Sequence, residues 1–425
     1  MPVRLIPSET ALVLGGGGAK GAYETGVIAA LRELGIRAGS VYGTSIGALN
    51  AAMYAQGAFD EAEALWETLR LSDLITPESM RLADDAEAIF DHPEKMIEFI
   101  TRYAQHKGMD ISPLKALIRD AVDEEKLRKS PVRFGLVATK FPSMTMVEKR
   151  LADMEPGSLH DWLLASCACF PVFPMARIGE ERYIDGGFLD NVPVAMAIKS
   201  GAQHVIAVDI GKNPSHLHYT RRPNVTYIRA SHPLGGLLTF DPAQSRRNRT
   251  LGYNDALRAF GRLRGTQYAF DPIDAVTLRE RAQRFVARLS QLELSLFGSE
   301  NKTPLFDAIL NEMAPGGDAV DCFLRCLELC ALAAQVNPAQ VFTFDAFVDE
   351  LRARLPLDKA ESMLDNLPSG RIGVLFSAPQ PEPSLVIACL FHLLQREGAF
   401  SPLALRTLVN YPKEMLCAYT LKEVL

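Results

Sequence analysis

A serine set between two glycines is the first place in this 425-residue chain where residue type and spacing could do covalent chemistry. Gly43-Thr44-Ser45-Ile46-Gly47 fits the pattern G-x-S-x-G, with an apolar strand pattern before it and a helix pattern after it. A serine on a sharp strand-to-helix turn projects its hydroxyl clear of the sheet, and flanking glycines avoid the clash that any Cβ would make there. The helix beginning just after Ser45 adds its positive N-terminal dipole near an oxyanion developing on an acyl group. So short a pattern also arises by chance, and its setting is what makes it informative.

The run Gly15-Gly16-Gly17-Gly18-Ala19-Lys20-Gly21 is the second element. Glycines that follow a strand and open a helix leave successive backbone N–H groups pointing at an anion, either a phosphate or an acyl-transfer oxyanion. The phosphate readings fit poorly. A P-loop needs Gly-Lys followed by Ser or Thr, and here Gly21 follows Lys20. A dinucleotide fingerprint wants an acid closing a second strand about 20 residues on, and the nucleophile elbow occupies that place. The third element is Asp185-Gly186-Gly187 after the short strand pattern Arg182–Ile184, a carboxylate with little steric cover beside it.

Taken in order, G-G-G-x-K-G (Gly16–Gly21), G-x-S-x-G (Gly43–Gly47), then D-G-G (Asp185–Gly187) with D-N-x-P (Asp190–Pro193) resembles the patatin-like phospholipase family. Ala165-Ser166 with Phe170-Pro171 and Phe173-Pro174, and Gly252-Tyr253 with Asp255-Ala256, resemble further family segments, so the likeness covers roughly 8–270. Many members carry Arg where this chain has Lys20; both are cationic. The resemblance implies a Ser–Asp dyad in which Ser45 attacks an ester carbonyl and Asp185 takes its proton. It also implies an oxyanion hole of Gly16, Gly17 and Gly18 N–H groups, with Lys20, Gly21, Gly43, Gly47, Gly186 and Gly187 as supporting motif positions. A free Asp, with a pKa of about 3.9, is a feeble base, so Asp185 is expected to be partly desolvated and raised. The implied substrates are acyl esters of phospholipids or lysophospholipids, and nothing in the motifs separates these from neutral lipids or simple carboxylic esters. This chemistry needs no metal, nucleotide or organic cofactor. A Ser–His–Asp triad is the rival arrangement, because His204 and His216 follow Asp185. However, His204 opens a strand pattern and His216 lies in a polar loop.

Strands and helices must hold these groups together. The rhythm of Ala11–Leu14, helix Tyr23–Leu34, strand Ser40–Tyr42 and a further helix is that of a parallel sheet with helices on its faces. Strand patterns return at Val132–Thr139, Arg182–Ile184 and His204–Asp209, and the helical stretch from Phe59 to Ser130 is expected to line or cover an acyl pocket. The fold expected is α/β, a three-layer α/β/α domain with a mainly parallel central sheet at 8–270, followed by a helical C-terminal domain at 275–425. That second domain is read as a binding module for a protein activator or a membrane. Within it, Leu278, Ala282, Phe285, Leu289, Leu292 and Leu296 recur at four-three spacing, as an apolar stripe packed on the domain. Cys322, Cys326 and Cys330 share one helix face as buried small apolar residues.

The composition is that of an ordinary globular chain, 48% hydrophobic and 23% charged, and a net charge of −6 argues against nucleic acid as the main partner. Seven cysteines, an odd and scattered set, suit a reducing compartment. No secretory leader pattern stands at the N-terminus and no apolar run reaches the roughly 18–20 residues of a membrane span. The expectation is a cytoplasmic protein acting peripherally at membranes, with leaderless export also open. Residues 212–264 carry ten Lys/Arg against Asp241 and Asp255, which is either a solvated face with partners elsewhere or an attraction to anionic headgroups.

Overall fold

The stretch Thr10–Leu14 (β1) is buried at every position, as befits a strand covered by helices on both sides. In the computed structural model, which describes residues 5–80, 82–83, 94, 109–271, 275–297, 305–314, 317–366, 382–398 and 411–425, β1 lies centrally in an eight-stranded sheet. The other strands are β2 (Ser40–Thr44), β3 (Arg133–Phe141), β4 (Thr145–Arg150), β5 (Ala176–Ile178), β6 (Glu181–Asp185), β7 (His204–Asp209) and β8 (Val225–Arg229). Their order is β5-β6-β3-β2-β1-β7-β8, with β4 also paired to β3. The five strands from β3 to β8 along that order are parallel, whereas β4, β5 and β6 run antiparallel to their neighbours. β4, β5 and β8 are short or half-exposed and lacked the continuous apolar signal that marked the central strands.

Helices cover both faces. On one, Ala11, Val13, Val205 and Ala207 pack with Val194, Met196 and Ala197. On the other lie α1 (Ala22–Glu33) and the wholly buried α2 (Ile46–Ala55), with α3 (Phe59–Thr68), α4 (Ser112–Ala121), α5 (Glu124–Lys129) and α6 (Leu159–Ser166) completing this part of the chain before α7 (Val194–Lys199). The last helix of this unit, α8 (Pro242–Ala259), crosses α1 at very close range. A Cβ on Gly26 would stand 1.9 Å from the Arg249 carbonyl oxygen, and one on Gly252 would stand 2.0 Å from that of Tyr23. Asp255 fastens the crossing by accepting from the Tyr23 hydroxyl (2.7 Å) and from Ser231 N–H and O–H (2.9 Å each), with Arg258 beside it.

The chain divides into two compact units, Met1–Phe260 and Gly261–Leu425, ten residues earlier than the expected boundary. The reason is local: Tyr268 and Phe270 belong to the core of the second unit, and β9 (Ala269–Phe270) pairs with β10 (Val341–Phe342) there. That unit is otherwise helical, with Ala275–Phe297 and Ala319–Ala333 as its longest helices. Leu278, Ala282, Phe285 and Leu289 are buried as the spacing predicts, while the side chains of Leu292 and Leu296 lie outside the described residues. Cys322, Cys326 and Cys330 are buried core residues. Buried Glu328 accepts from the successive N–H groups of Thr266 (2.6 Å), Gln267 (2.9 Å) and Tyr268 (3.1 Å), pinning the segment that opens the unit. Leu385–Leu394 lies in a buried helix of this unit, and among the described residues no helix is long and apolar enough to cross a membrane. The sequence also suggests breaks at Gly316-Gly317 and Pro368-Ser369-Gly370 and an exposed loop around Gln380–Pro383; of these, Gly316, Pro368 to Gly370 and Gln380 lie outside the described residues.

Because backbone stands opposite both glycines at the α1–α8 crossing, Gly252→Ala should cost roughly 1–3 kcal/mol of stability through overpacking. A urea titration checks this, and an unchanged midpoint would show that the crossing tolerates a methyl group.

Candidate active site

Ser45 stands between the end of β2 and the start of α2, with φ 55° and ψ −128°, a left-handed conformation that a non-glycine residue adopts only under constraint. Two features hold it. Gly43 and Gly47 let α2 press onto the sheet, since a Cβ on Gly47 would stand 2.5 Å from the Leu14 carbonyl oxygen. The Ser45 N–H donates to Ser166 Oγ (2.9 Å), and Ser166 in turn donates to the Val137 carbonyl (2.7 Å). Ser166, the buried last residue of α6, stands out in the sequence only as part of a resembling segment; no local pattern assigns a serine 121 positions away to brace this turn.

Asp185 reaches the same place by an unusual route. β3 runs past the end of β2, which pairs with it only as far as Thr44 opposite Val137. β6 pairs antiparallel with the overhang, from Arg182 opposite Phe141 to Asp185 opposite Ala138. The chain therefore descends toward the sheet and ends beside Ser45. Gly186 fits there because a Cβ would lie 2.3 Å from the Val137 carbonyl oxygen. Asp185 is buried and accepts from the Gly187 N–H (2.7 Å). Burial pushes its carboxyl up to about 6, against the influence of the nearby Ser45 hydroxyl and the hydrogen bond from the Gly187 N–H, which pull it down. Burial also holds the neighbouring thiols of Cys167 and Cys169 well above their ordinary range, so both stay protonated.

The glycine loop closes the third side, and the three expected donors are not equivalent. The Gly16 N–H donates to the Asn191 carbonyl (3.0 Å), so it is already spent; Asn191 Nδ2 donates back to the Gly16 carbonyl (3.0 Å). Among the described residues the N–H groups of Gly17 and Gly18 meet no protein acceptor. Gly18 is left-handed (φ 56°), and a Cβ there would strike the Leu237 carbonyl oxygen at 2.2 Å. Asn191, part of the D-N-x-P segment, is thus a site residue whose motif was legible but whose role was not. Lys20 and Gly21 form the turn into α1 and stand outside the cavity lining.

Beneath the loop lies a buried polar chain. Asn50 donates to Glu24 (2.7 Å) and to the Gly21 carbonyl (3.0 Å), and accepts from the Trp66 indole (2.9 Å). Trp66 covers Gly21 and stacks on Phe240, with ring centroids 6.2 Å apart. Burial pushes the Glu24 carboxyl well above the usual range, favouring the neutral acid.

Ser45, Asp185 and Gly16 to Gly18 line one cavity of about 280 Å³, and every lining residue lies in the N-terminal unit. Its remaining wall is mostly apolar and includes Leu69, Leu74, Leu114 and Leu117 from the stretch expected to line a pocket. Within that stretch, residues 81, 84–93 and 95–108 lie outside the described residues. Neither rival histidine lines the cavity. His204 pairs with Thr10 at the amino end of β7, the far end of the sheet, and the His216 imidazole bonds Asp190 Oδ1 at 2.9 Å.

Residues 12–198 match the model of a family described as patatin-like phospholipase. A lysophospholipase, NTE1, of Scheffersomyces stipitis is 28% identical over 210 residues, which is 49% of this chain and 12% of that protein. The patatin-like phospholipase domain-containing protein ZK370.4 of Caenorhabditis elegans is 28% identical over 204 residues, 47% of this chain and 13% of its own length. The chain thus spans a small part of the curated relatives it matches. Among solved structures, VipD from Legionella pneumophila aligns over 99% of this chain and 90% of its own at TM-score 0.40 and 16% identity. With the family model seated on the strands and loops that build this cavity, the N-terminal unit belongs to the patatin-like phospholipase family.

Proposed function

We propose that the N-terminal unit is a lipid acyl hydrolase that cleaves fatty-acyl esters of phospholipids or lysophospholipids through a Ser45–Asp185 dyad. The observation that carries this reading is the Ser45 hydroxyl, held on a strained turn and lining the same apolar cavity as a buried carboxylate raised by desolvation. An acyl chain suits the leucine-rich wall, and the ester carbonyl then lies against Ser45. Asp185 takes the Ser45 proton as Oγ attacks the carbonyl carbon, and the oxyanion turns toward the Gly17 and Gly18 N–H groups. Collapse expels the alcohol, which takes the proton from Asp185. Water, deprotonated by Asp185, then attacks the acyl-enzyme, and the second collapse returns the proton to Ser45. The relatives' names supply the lipid class; the cavity itself contains no feature that selects a headgroup.

Asp185 is a base only when ionised, so activity should fall as pH drops through about 6. A pH profile of kcat/KM on a soluble short-chain ester checks this, and an acidic limb near the ordinary Asp value would count against a desolvated base. Ser45→Ala and Asp185→Asn should each lower kcat by about a thousandfold or more, with the double variant no worse than either alone. An active Asp185→Asn enzyme would remove the dyad. Since Glu24 is held as the neutral acid, Glu24→Gln should keep activity within a few-fold, whereas Glu24→Leu leaves Asn50 short of an acceptor and should lower kcat by about tenfold at similar KM. Equal kinetics for the two variants would detach this chain of hydrogen bonds from the chemistry.

A further inference from the structure

Large apolar side chains at a protein surface ask for a partner when they cluster beside a site. Phe188 lines the cavity and yet is 49% exposed, and the next residue, Leu189, is 41% exposed. Leu217, 57% exposed, belongs to a different loop. The bond between His216 and Asp190, each adjacent in sequence to one of the two leucines, brings these loops together. His216 is left-handed (φ 54°), which turns the chain sharply just before Leu217. The short helical turn Leu217–Arg221 then carries exposed Arg221 and leads into exposed Arg222, whose guanidinium lies over the Tyr219 ring.

The charges around this rim indicate its partner. Within the basic stretch 212–264, Arg249 meets Glu63 and Glu67, Arg258 meets Asp255, and Arg229 faces Asp209. These arginines are absorbed by the protein's own carboxylates. Among the described residues, Arg221 and Arg222 form no ion pair. Three exposed apolar side chains flanked by two uncompensated cations match the boundary between acyl chains and anionic headgroups.

We propose that Phe188, Leu189 and Leu217, with Arg221 and Arg222 beside them, seat the N-terminal unit on an anionic phospholipid bilayer, with the cavity mouth facing the lipid. This rests on the acyl-hydrolase reading of the site, since the rim gives a chain leaving the bilayer an apolar path past Phe188.

The test uses the full chain with Ser45→Ala, so that binding is read apart from turnover. It should sediment with vesicles of phosphatidylcholine containing a third phosphatidylglycerol, less so with phosphatidylcholine alone, and less in high salt. Leu189→Asp with Leu217→Asp should lower the bound fraction by about fivefold or more. In the Ser45 protein the same pair should leave hydrolysis of a soluble short-chain ester within twofold while lowering hydrolysis of vesicle phospholipid. Arg221→Glu with Arg222→Glu, both exposed, should abolish the preference for phosphatidylglycerol and guards against a leucine variant that misfolds. Vesicle binding unchanged by both pairs overturns the proposal, as does a leucine pair that alters the oligomeric state in gel filtration and leaves vesicle binding intact. A Ser45 protein inactive on the soluble ester counts against the hydrolase reading alone, because sedimentation reports on the rim without turnover.

Discussion

The overhang of β3 beyond β2 is the constraint on which the site depends. In a purely parallel sheet, a strand's carboxyl end can approach its neighbour's only by running beside it from the same side. Here β3 continues past Val137, and β6 uses that surplus edge to run back toward the sheet. The carboxylate at the end of an antiparallel strand thereby meets the serine at the end of a parallel one. Burial follows from the same geometry. The meeting point lies under the chain that descends to it, and water exclusion there raises Asp185 toward the range in which a carboxylate can serve as a base.

The second necessity is a backbone that can approach without side chains. α2 presses on β1 through Gly47, β6 ends on Gly186, and α1 meets α8 through Gly26 and Gly252. The last of these crossings lies away from the cavity, yet it fixes the helix that continues directly from the glycine loop. A polar chain through Glu24, Asn50 and Trp66 fills the space beneath that loop, where an apolar filling would leave the Gly21 carbonyl without a donor.

Much of this was legible in the sequence. Gly43–Gly47 and Gly15–Gly21 stand where strand patterns break into helix patterns, so local chemistry and global fold agree there, and the central strands are apolar throughout. Asp185 was legible as a residue type beside two glycines, but its approach was not, because strand direction depends on pairing with an overhang that has no local sequence signature. Ser166 and Asn191 escaped assignment for a similar reason. Each acts on backbone groups far away in the chain, Ser45 and Gly16, and only the folded register makes them neighbours. The Gly16 N–H looks available in the sequence, as any glycine's does, and its engagement by Asn191 is a tertiary fact. The domain boundary moved because Ala269 and Phe270 pair with a strand some seventy residues downstream, beyond the reach of a local composition shift.

Asn191 has a mechanical consequence. The short loop that begins at Asp185 also ends by gripping Gly16 from both sides, carbonyl to N–H and amide to carbonyl. Asp185 and the glycine loop are thus fastened to each other by one short segment. The spacing between the carboxylate and the loop is therefore set within one connected piece of backbone, rather than across two that could shift independently.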